Sequence, residues 1–238
     1  MVDKIPTDHR GKNDLITMAF ILNIDTATEN ATVGISKNES PVCSLFSNNQ
    51  KEHASFLEPA IKKVLQQSNI SIHELDAVSV TNGPGSYTGL RVSMASAKAL
   101  CYALKIPLIT ISTLEAMALS VIENTAQPQL YLYCPMIDAR RMEVFTAIFD
   151  NELNEVLAPQ AIILEPSSFN NLIKARPIIF SGSGSKKYIN IAGNSSLLSN
   201  FSLISNSALA KLSNHKYQHE LFAELSSSEP VYLKQFGV

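Results

Sequence analysis

A chain of 238 residues has room for one large or two modest domains, and 45% hydrophobic with 17% charged residues is an ordinary globular balance. A formal net charge of -2 and the lack of any apolar run near the ~18 residues of a membrane span argue against insertion in a bilayer and against gripping nucleic acid alone. Cys43, Cys101 and Cys134 lie far apart with no CxxC pair, so they read as reduced core residues of a cytoplasmic protein.

Residues 1–17 are polar and aperiodic, without the apolar core of a secretory signal, and read as a disordered extension. FILNIDT is a buried strand ending in Asp25, and strands over 32–36 and 42–46 follow at hairpin spacing. Residues 51–67 form an amphipathic helix through Phe56, Leu57, Ala60, Ile61, Val64 and Leu65, with Pro59 kinking it or lying near its start. A β-branched strand then ends at Gly83-Pro84-Gly85, and a helix over 88–104 follows, capped by Ser86 or Thr88. A strand over 108–111 and a helix over 113–123 close the first half, giving the order βββαβαβα.

The order restarts beyond Pro128. Strands over 130–137 and 142–149 join around Ala139-Arg140, and a third lies near 161–164. A short helix over 167–174, a strand over 177–180 running into a Ser-Gly-Ser-Gly turn, a helix over 207–225 and an extended tail over 230–236 complete it. A βββαβαβα unit used twice is the plan of an α/β protein of the actin-like, ribonuclease-H-like superfold, with mixed sheets covered by helices. The expected subdomains are 18–125 and 126–238, the last helix being free to pack back on the first.

The stretch TNGPGSYTGLRVSMASAKAL carries the most information. Its glycines permit positive φ and close backbone approach, and Pro84 removes one amide donor. Arg91 sits in the first turn of the helix, where the macrodipole disfavours a cation, so another group is expected to hold it. Ala95, Ser96, Ala97 and Ala99 cluster on a helix that a second helix can approach closely.

Together with ILNIDTATENATVGI, IPLITISTLEAMA, IDARRMEVF and EPVYLK, this stretch resembles the bacterial TsaB (YeaZ) family over residues 18–234. Members are non-catalytic partners in making the threonylcarbamoyladenosine base of transfer RNA. The resemblance implies an actin-like fold, a helical face that packs on a TsaD-like catalytic subunit, recruitment of a TsaE-like ATPase, homodimers when the partner is absent, and only indirect contact with tRNA. It makes Gly83, Pro84, Gly85, Ser86, Gly89 and Arg91 the signature loop. With the small-residue helix, it assigns Met94, Ala95, Ala97, Lys98, Ala99, Cys101, Phe56 and Ala60 to the partner interface. The catalytic paralogue has a metal-binding His-x-x-x-His where this chain has Thr113 and Met117, and a hydroxyl with a thioether cannot replace two imidazoles. The implied protein therefore has no catalytic residue, no metal and no required cofactor, with weak nucleotide binding as a secondary property.

Several residues carry competing readings. Asp25 and Asp138, at matching places in the two halves, suit a Mg-nucleotide site of an actin-like ATPase or small-molecule kinase, or else simply fix local turns. No phosphate-binding lysine or second glycine fingerprint accompanies them. Gly182 and Gly184 either approach an adenosine or make a tight strand-to-helix turn. His215 and His219 have two-histidine metal spacing but no HExxH glutamate, which favours a solvated face and weakens a metalloprotease reading. Ser86 misses the G-x-S-x-G elbow at both glycine positions, which hold Pro84 and Thr88, and is better read as a helix cap. His53 and His73 read as surface or capping residues.

Overall fold

Two five-stranded sheets share one topology. The computed structural model describes residues 18–49, 52–192, 197–198 and 203–234. The extension expected over 1–17 and the outermost tail lie outside the described residues.

In the first sheet the central strand β1 (Phe20–Asp25) pairs antiparallel with β2 (Ala31–Lys37), and β2 with β3 (Ser40–Ser47). On its other side β1 pairs parallel with β4 (Ala77–Gly83), and β4 with β5 (Leu108–Ser112). The second sheet repeats these pairings. Its central strand β6 (Leu132–Asp138) lies antiparallel to β7 (Glu143–Phe149), which pairs with β8 (Glu155–Ile163). Parallel to β6 runs β9 (Ile178–Ser181), followed by the two-residue β10 (Leu197–Leu198).

Parallel neighbours require crossovers, and the helices supply them. Between β3 and β4 runs α1 (His53–Ser68), with Pro59 inside it, and α2 (Tyr87–Leu104) connects β4 to β5. Both cover the outer face of the first sheet in a core containing Leu22, Ile24, Leu57, Val64, Val80, Met94, Ala97 and Cys101. Between the sheets lie α3 (Thr113–Ile122), which touches strands of both, and α6 (Asn206–Gln218), which packs on α3 and the first sheet. The outer face of the second sheet is covered with help from α5 (Ser185–Ala192), while α4 (Asn170–Ala175) precedes β9.

Period-two alternation explains why β1 has both faces buried. Leu22 and Ile24 enter the outer core, and Ile21 enters the core between the sheets. Asn23 and Asp25 share the Ile21 side, and their polar atoms are satisfied across the sheet. Ser79 donates to Asn23 Oδ1 at 2.8 Å, Asn23 donates to Ser36 at 2.9 Å, and Thr81 donates to Asp25 Oδ1 at 2.7 Å.

Several expected elements shift. The third strand of the second half starts at Glu155 rather than near 161, because it is an edge strand with mixed exposure and gives little apolar signal. The last helix stops at Gln218 rather than 225, where Glu220 adopts a left-handed φ of 53° and the chain turns into an irregular strap. The strand-to-helix turn read at Gly182 and Gly184 leads into α5, whose extent the sequence pattern does not mark, and β10 was not expected. The Ser-Gly-Ser-Gly turn hides the start of the helix, and a two-residue strand has no periodicity to read.

Candidate functional site

The glycine loop meets the turn that ends β1. A Cβ at Gly85 would lie 2.2 Å from the Ala27 carbonyl oxygen, and one at Gly89 would lie 2.1 Å from that of Thr26. Two backbones pass here with no room for a side chain. The crossing is stitched by the Ser86 amide donating to Ala27 O at 2.7 Å and by Thr26 Oγ1 donating to Gly89 O at 2.7 Å. Gly83, at φ 118°, faces Val231 on its other side, where the Val231 amide donates to Asn82 O at 2.6 Å. Pro84 follows Gly83 through a cis bond. Ser86 is the N-cap of α2, accepting from the Gly89 amide at 3.3 Å. The glycines therefore serve chain crossings within the protein.

Between the halves opens a cleft of about 1110 Å³, lined by this loop, by the turn between β6 and β7, by Ser183 and Lys187, and by residues 231–234. Asp25 is buried, accepting from the Ala27 amide at 3.0 Å and from Thr81, and burial pushes its carboxyl up to about 6 against those two bonds. Asp138 is exposed and paired. Its Oδ1 lies 2.6 Å from Lys187 Nζ and accepts the Arg140 amide at 2.6 Å. Partial burial raises its carboxyl, but the Lys187 ammonium and the Arg140 amide outweigh that and hold it below the usual carboxylate range. The two aspartates thus occupy matching strand ends in different states, one sealed and hydrogen-bonded, the other in an ion pair.

Gly182, at φ 84°, and Gly184 form the turn from β9 into α5. A Cβ at Gly182 would meet Met117 Cε and Met136 O, both at 2.4 Å, and one at Gly184 would meet Val144 at 2.7 Å. Met117 and Thr113 are buried, Met117 in the core between the sheets, and Thr113 Oγ1 has no hydrogen-bond partner among the described residues. His215 and His219 stack at 4.3 Å between ring centroids on the exposed end of α6, and His219 Nδ1 lies 2.7 Å from His215 O. His53 is buried rather than superficial, its Nε2 3.3 Å from Glu29 O, and burial lowers its pKa.

The expected interface residues divide. Met94, Ala97, Cys101 and Ala60 belong to the chain's own core beneath α1 and α2, a correction that follows from the i, i+3, i+4 stripe facing the sheet. Phe56 is half-buried against the same core. Lys98 is turned inward along the surface, donating to the carbonyls of Ser228 at 3.0 Å and Ser226 at 3.4 Å. Ala95 and Ala99 remain exposed on the outer face of α2, beside Tyr102 at 79% exposure.

Sequence reasoning missed the roles of Tyr232, Lys187 and Lys234. Arg91 finds its partner in Tyr232, and Tyr232 lies 5.6 Å from Tyr87 between ring centroids. Lys234 pairs with Glu143 of β7 at 2.6 Å, so the end of the strap joins the two halves. The motif EPVYLK was the available signal, but nothing local in it names α2 as its neighbour.

Known proteins bear on this geometry. A family model described as "TsaD: tRNA N6-adenosine threonylcarbamoyltransferase" matches residues 47–234. The chain is 32% identical over 137 residues to the "tRNA threonylcarbamoyladenosine biosynthesis protein TsaB" of Buchnera aphidicola subsp. Acyrthosiphon pisum, covering 58% of this chain and 60% of that one, less than two thirds of its length. It is 28% identical over 165 residues to the Bacillus subtilis protein of the same description, covering 68% and 70%. The solved structure "YeaZ from Pseudomonas aeruginosa" superposes with a TM-score of 0.75 at 22% identity, over 91% of this chain and 100% of that one, a likeness of fold.

Proposed function

The chain belongs to the TsaB (YeaZ) family, within the TsaD threonylcarbamoyltransferase family matched over residues 47–234, and from that membership we propose that it serves tRNA threonylcarbamoyladenosine synthesis as a scaffold subunit. In this reading it carries no chemistry of its own and binds a TsaD-like catalytic subunit through the exposed outer face of α1 and α2. A TsaE-like ATPase joins the pair, and the same face forms a homodimer when the partner is absent. Pre-organising the partner's site is then its contribution to rate.

One observation carries the reading. The positions that the family resemblance sets against the catalytic paralogue's metal-binding histidines hold Thr113 and Met117, and both are buried, Met117 in the core between the sheets against Gly182. A thioether and a hydroxyl buried in that way have neither the donor strength nor the access that a hydrolytic or transferase metal needs. The competing Mg-nucleotide ATPase or kinase needs Asp25 open to a hydrated cation, whereas Asp25 is buried and already accepts from Thr81 and Ala27.

Reconstitution of adenosine modification with a TsaD-like subunit, a TsaE-like ATPase and an enzyme supplying the threonylcarbamoyl donor tests the proposal. Product should fall to background when this chain is left out. Undiminished modification without it would remove the scaffold role.

A further inference from the structure

From Leu221 to Lys234 the chain has no buried residue, and it is held at separate points rather than by a packed face. The Ala223 amide donates to Leu108 O at 2.8 Å, Lys98 Nζ donates to the carbonyls of Ser228 and Ser226, and the Val231 amide donates to Asn82 O at 2.6 Å. Ala223 and Leu225 rest against the outer core of the first half, and Leu233 against the core between the sheets. A segment attached in this way opens locally at far lower cost than the elements beneath it.

Its last four residues cross the mouth of the cleft. Val231 is fixed to the first half, where its carbonyl oxygen would lie 2.5 Å from a Cβ on Gly83, and Arg91 of α2 holds Tyr232 at 3.1 Å. Lys234 is fixed to the second half, its Nζ 2.6 Å from Glu143 Oε2 on β7, and residues 231–234 line the cleft between these anchors. Three peptide links extend at most ~10 Å, so the two lips stay within that reach plus one lysine side chain while both ends hold. The ends differ in strength. At Val231 a backbone hydrogen bond and a close backbone contact act together, whereas at Lys234 one ion pair acts, its Lys side chain 60% and its Glu side chain 18% exposed. A pair so open to water is weak and is screened by salt. We propose that residues 231–234 are a clasp that limits how far the two halves open, with the Lys234–Glu143 pair as its releasable end. This goes beyond the scaffold reading and does not rest on it.

Electron–electron distance measurement on the full chain provides the test. Spin labels go on Thr88→Cys at the start of α2 and Lys186→Cys on α5, both exposed, in a Cys43→Ser background where Cys101 and Cys134 are buried. Lys234→Ala should lengthen the mean distance by ~3.5 Å, one residue's reach, or more. Lys234→Arg should keep the original distance, because a guanidinium preserves the pair. Molar salt should lengthen the distance in the chain with Lys234 and leave Lys234→Ala where it is. Truncation after residue 228 should open the halves at least as far as Lys234→Ala does. An unchanged distance in Lys234→Ala, an equal lengthening in Lys234→Arg, or indifference to salt overturns the ion pair as the release point. An unchanged distance in the truncated chain overturns the clasp itself.

Discussion

Arg91 of α2 donates its Nε to the hydroxyl of Tyr232 at 3.1 Å, while its guanidinium lies 4.2 Å from the centre of the Tyr87 ring. The first turn of the helix is thereby tied to the end of the strap that follows α6. The strap runs along α2 in the opposite direction, from Ala223, whose amide donates to Leu108 O at 2.8 Å, past Lys98 to Val231 on the glycine loop. A cation unfavourable to the helix dipole is retained because an aromatic face and a phenolic oxygen receive it.

Removing the strap should therefore cost more than removing the hydroxyl. Tyr232→Phe should barely move the melting temperature, the pair being exposed. Truncation after residue 228 also removes the Val231 bond to Asn82 and the Lys234 pair with Glu143. It should lower the melting temperature by several degrees, at about 2–4 °C per kcal/mol for a chain of this size. Scanning calorimetry of the two variants decides, and equal melting temperatures would show that the strap is passive.

Ala97 and Ala99 should separate stability from association. Ala97 is fully buried under α2, so Ala97→Leu overpacks the core and should cost about 1–3 kcal/mol in urea unfolding. Ala99 is exposed, so Ala99→Leu should leave stability within about 0.5 kcal/mol and yet weaken self-association or partner capture. Size-exclusion profiles and pull-downs identical to wild type for Ala99→Leu would move the interface elsewhere.

Gly85→Ala is expected to be severe. The added methyl would lie 2.2 Å from the Ala27 carbonyl oxygen, a backbone atom that cannot swing aside. A loss of about 3 kcal/mol or more, or insoluble protein, should follow. Wild-type unfolding in urea for this variant would mean that the loop and the β1 turn separate easily.

Asp25 makes stability fall as pH rises. Its carboxyl titrates at about 6 in the fold against an ordinary value of 3.8, burial being the cause. The folded state thus holds the proton more tightly than the unfolded chain. The associated stabilisation is complete below about pH 4, falls through the interval up to about pH 6, and is gone above it. The difference amounts to about 3 kcal/mol. Asp25→Asn, which cannot titrate, should gain on the wild type across that interval when the two are compared by urea unfolding at pH 4, 5, 6 and 7. A constant difference between them would show that Asp25 is not the group responsible.

Much of the fold was legible because its signals are local. Buried β-branched runs, the Ser86 cap, the stripe on α2 and the twice-used strand and helix order are properties of neighbouring residues. The β8 edge strand, α5 and the end of α6 were not, since mixed exposure or a glycine-rich start leaves no clean period. At the site, Met94, Ala97, Cys101 and Ala60, which the resemblance and the small-residue helix assign to the partner interface, lie on the faces that α1 and α2 turn toward their own sheet. A helical period reports that a face is buried without naming what buries it.

The sequence by itself determined the repeated architecture, the strand, loop and helix around Gly83-Pro84-Gly85, the family resemblance and the absence of histidines at 113 and 117. Only the tertiary structure decided what the loop glycines accommodate, namely the carbonyls of Thr26 and Ala27, that Asp25 is sealed while Asp138 is spent on Lys187, and that Arg91 rests on Tyr87 and Tyr232. Apart from the local Asp25–Ala27 and Tyr87–Arg91 contacts, those facts join residues 49 to 141 positions apart. Chain crossings and ion pairs are set by how the layers stack in space, and no local pattern of residues encodes that distance.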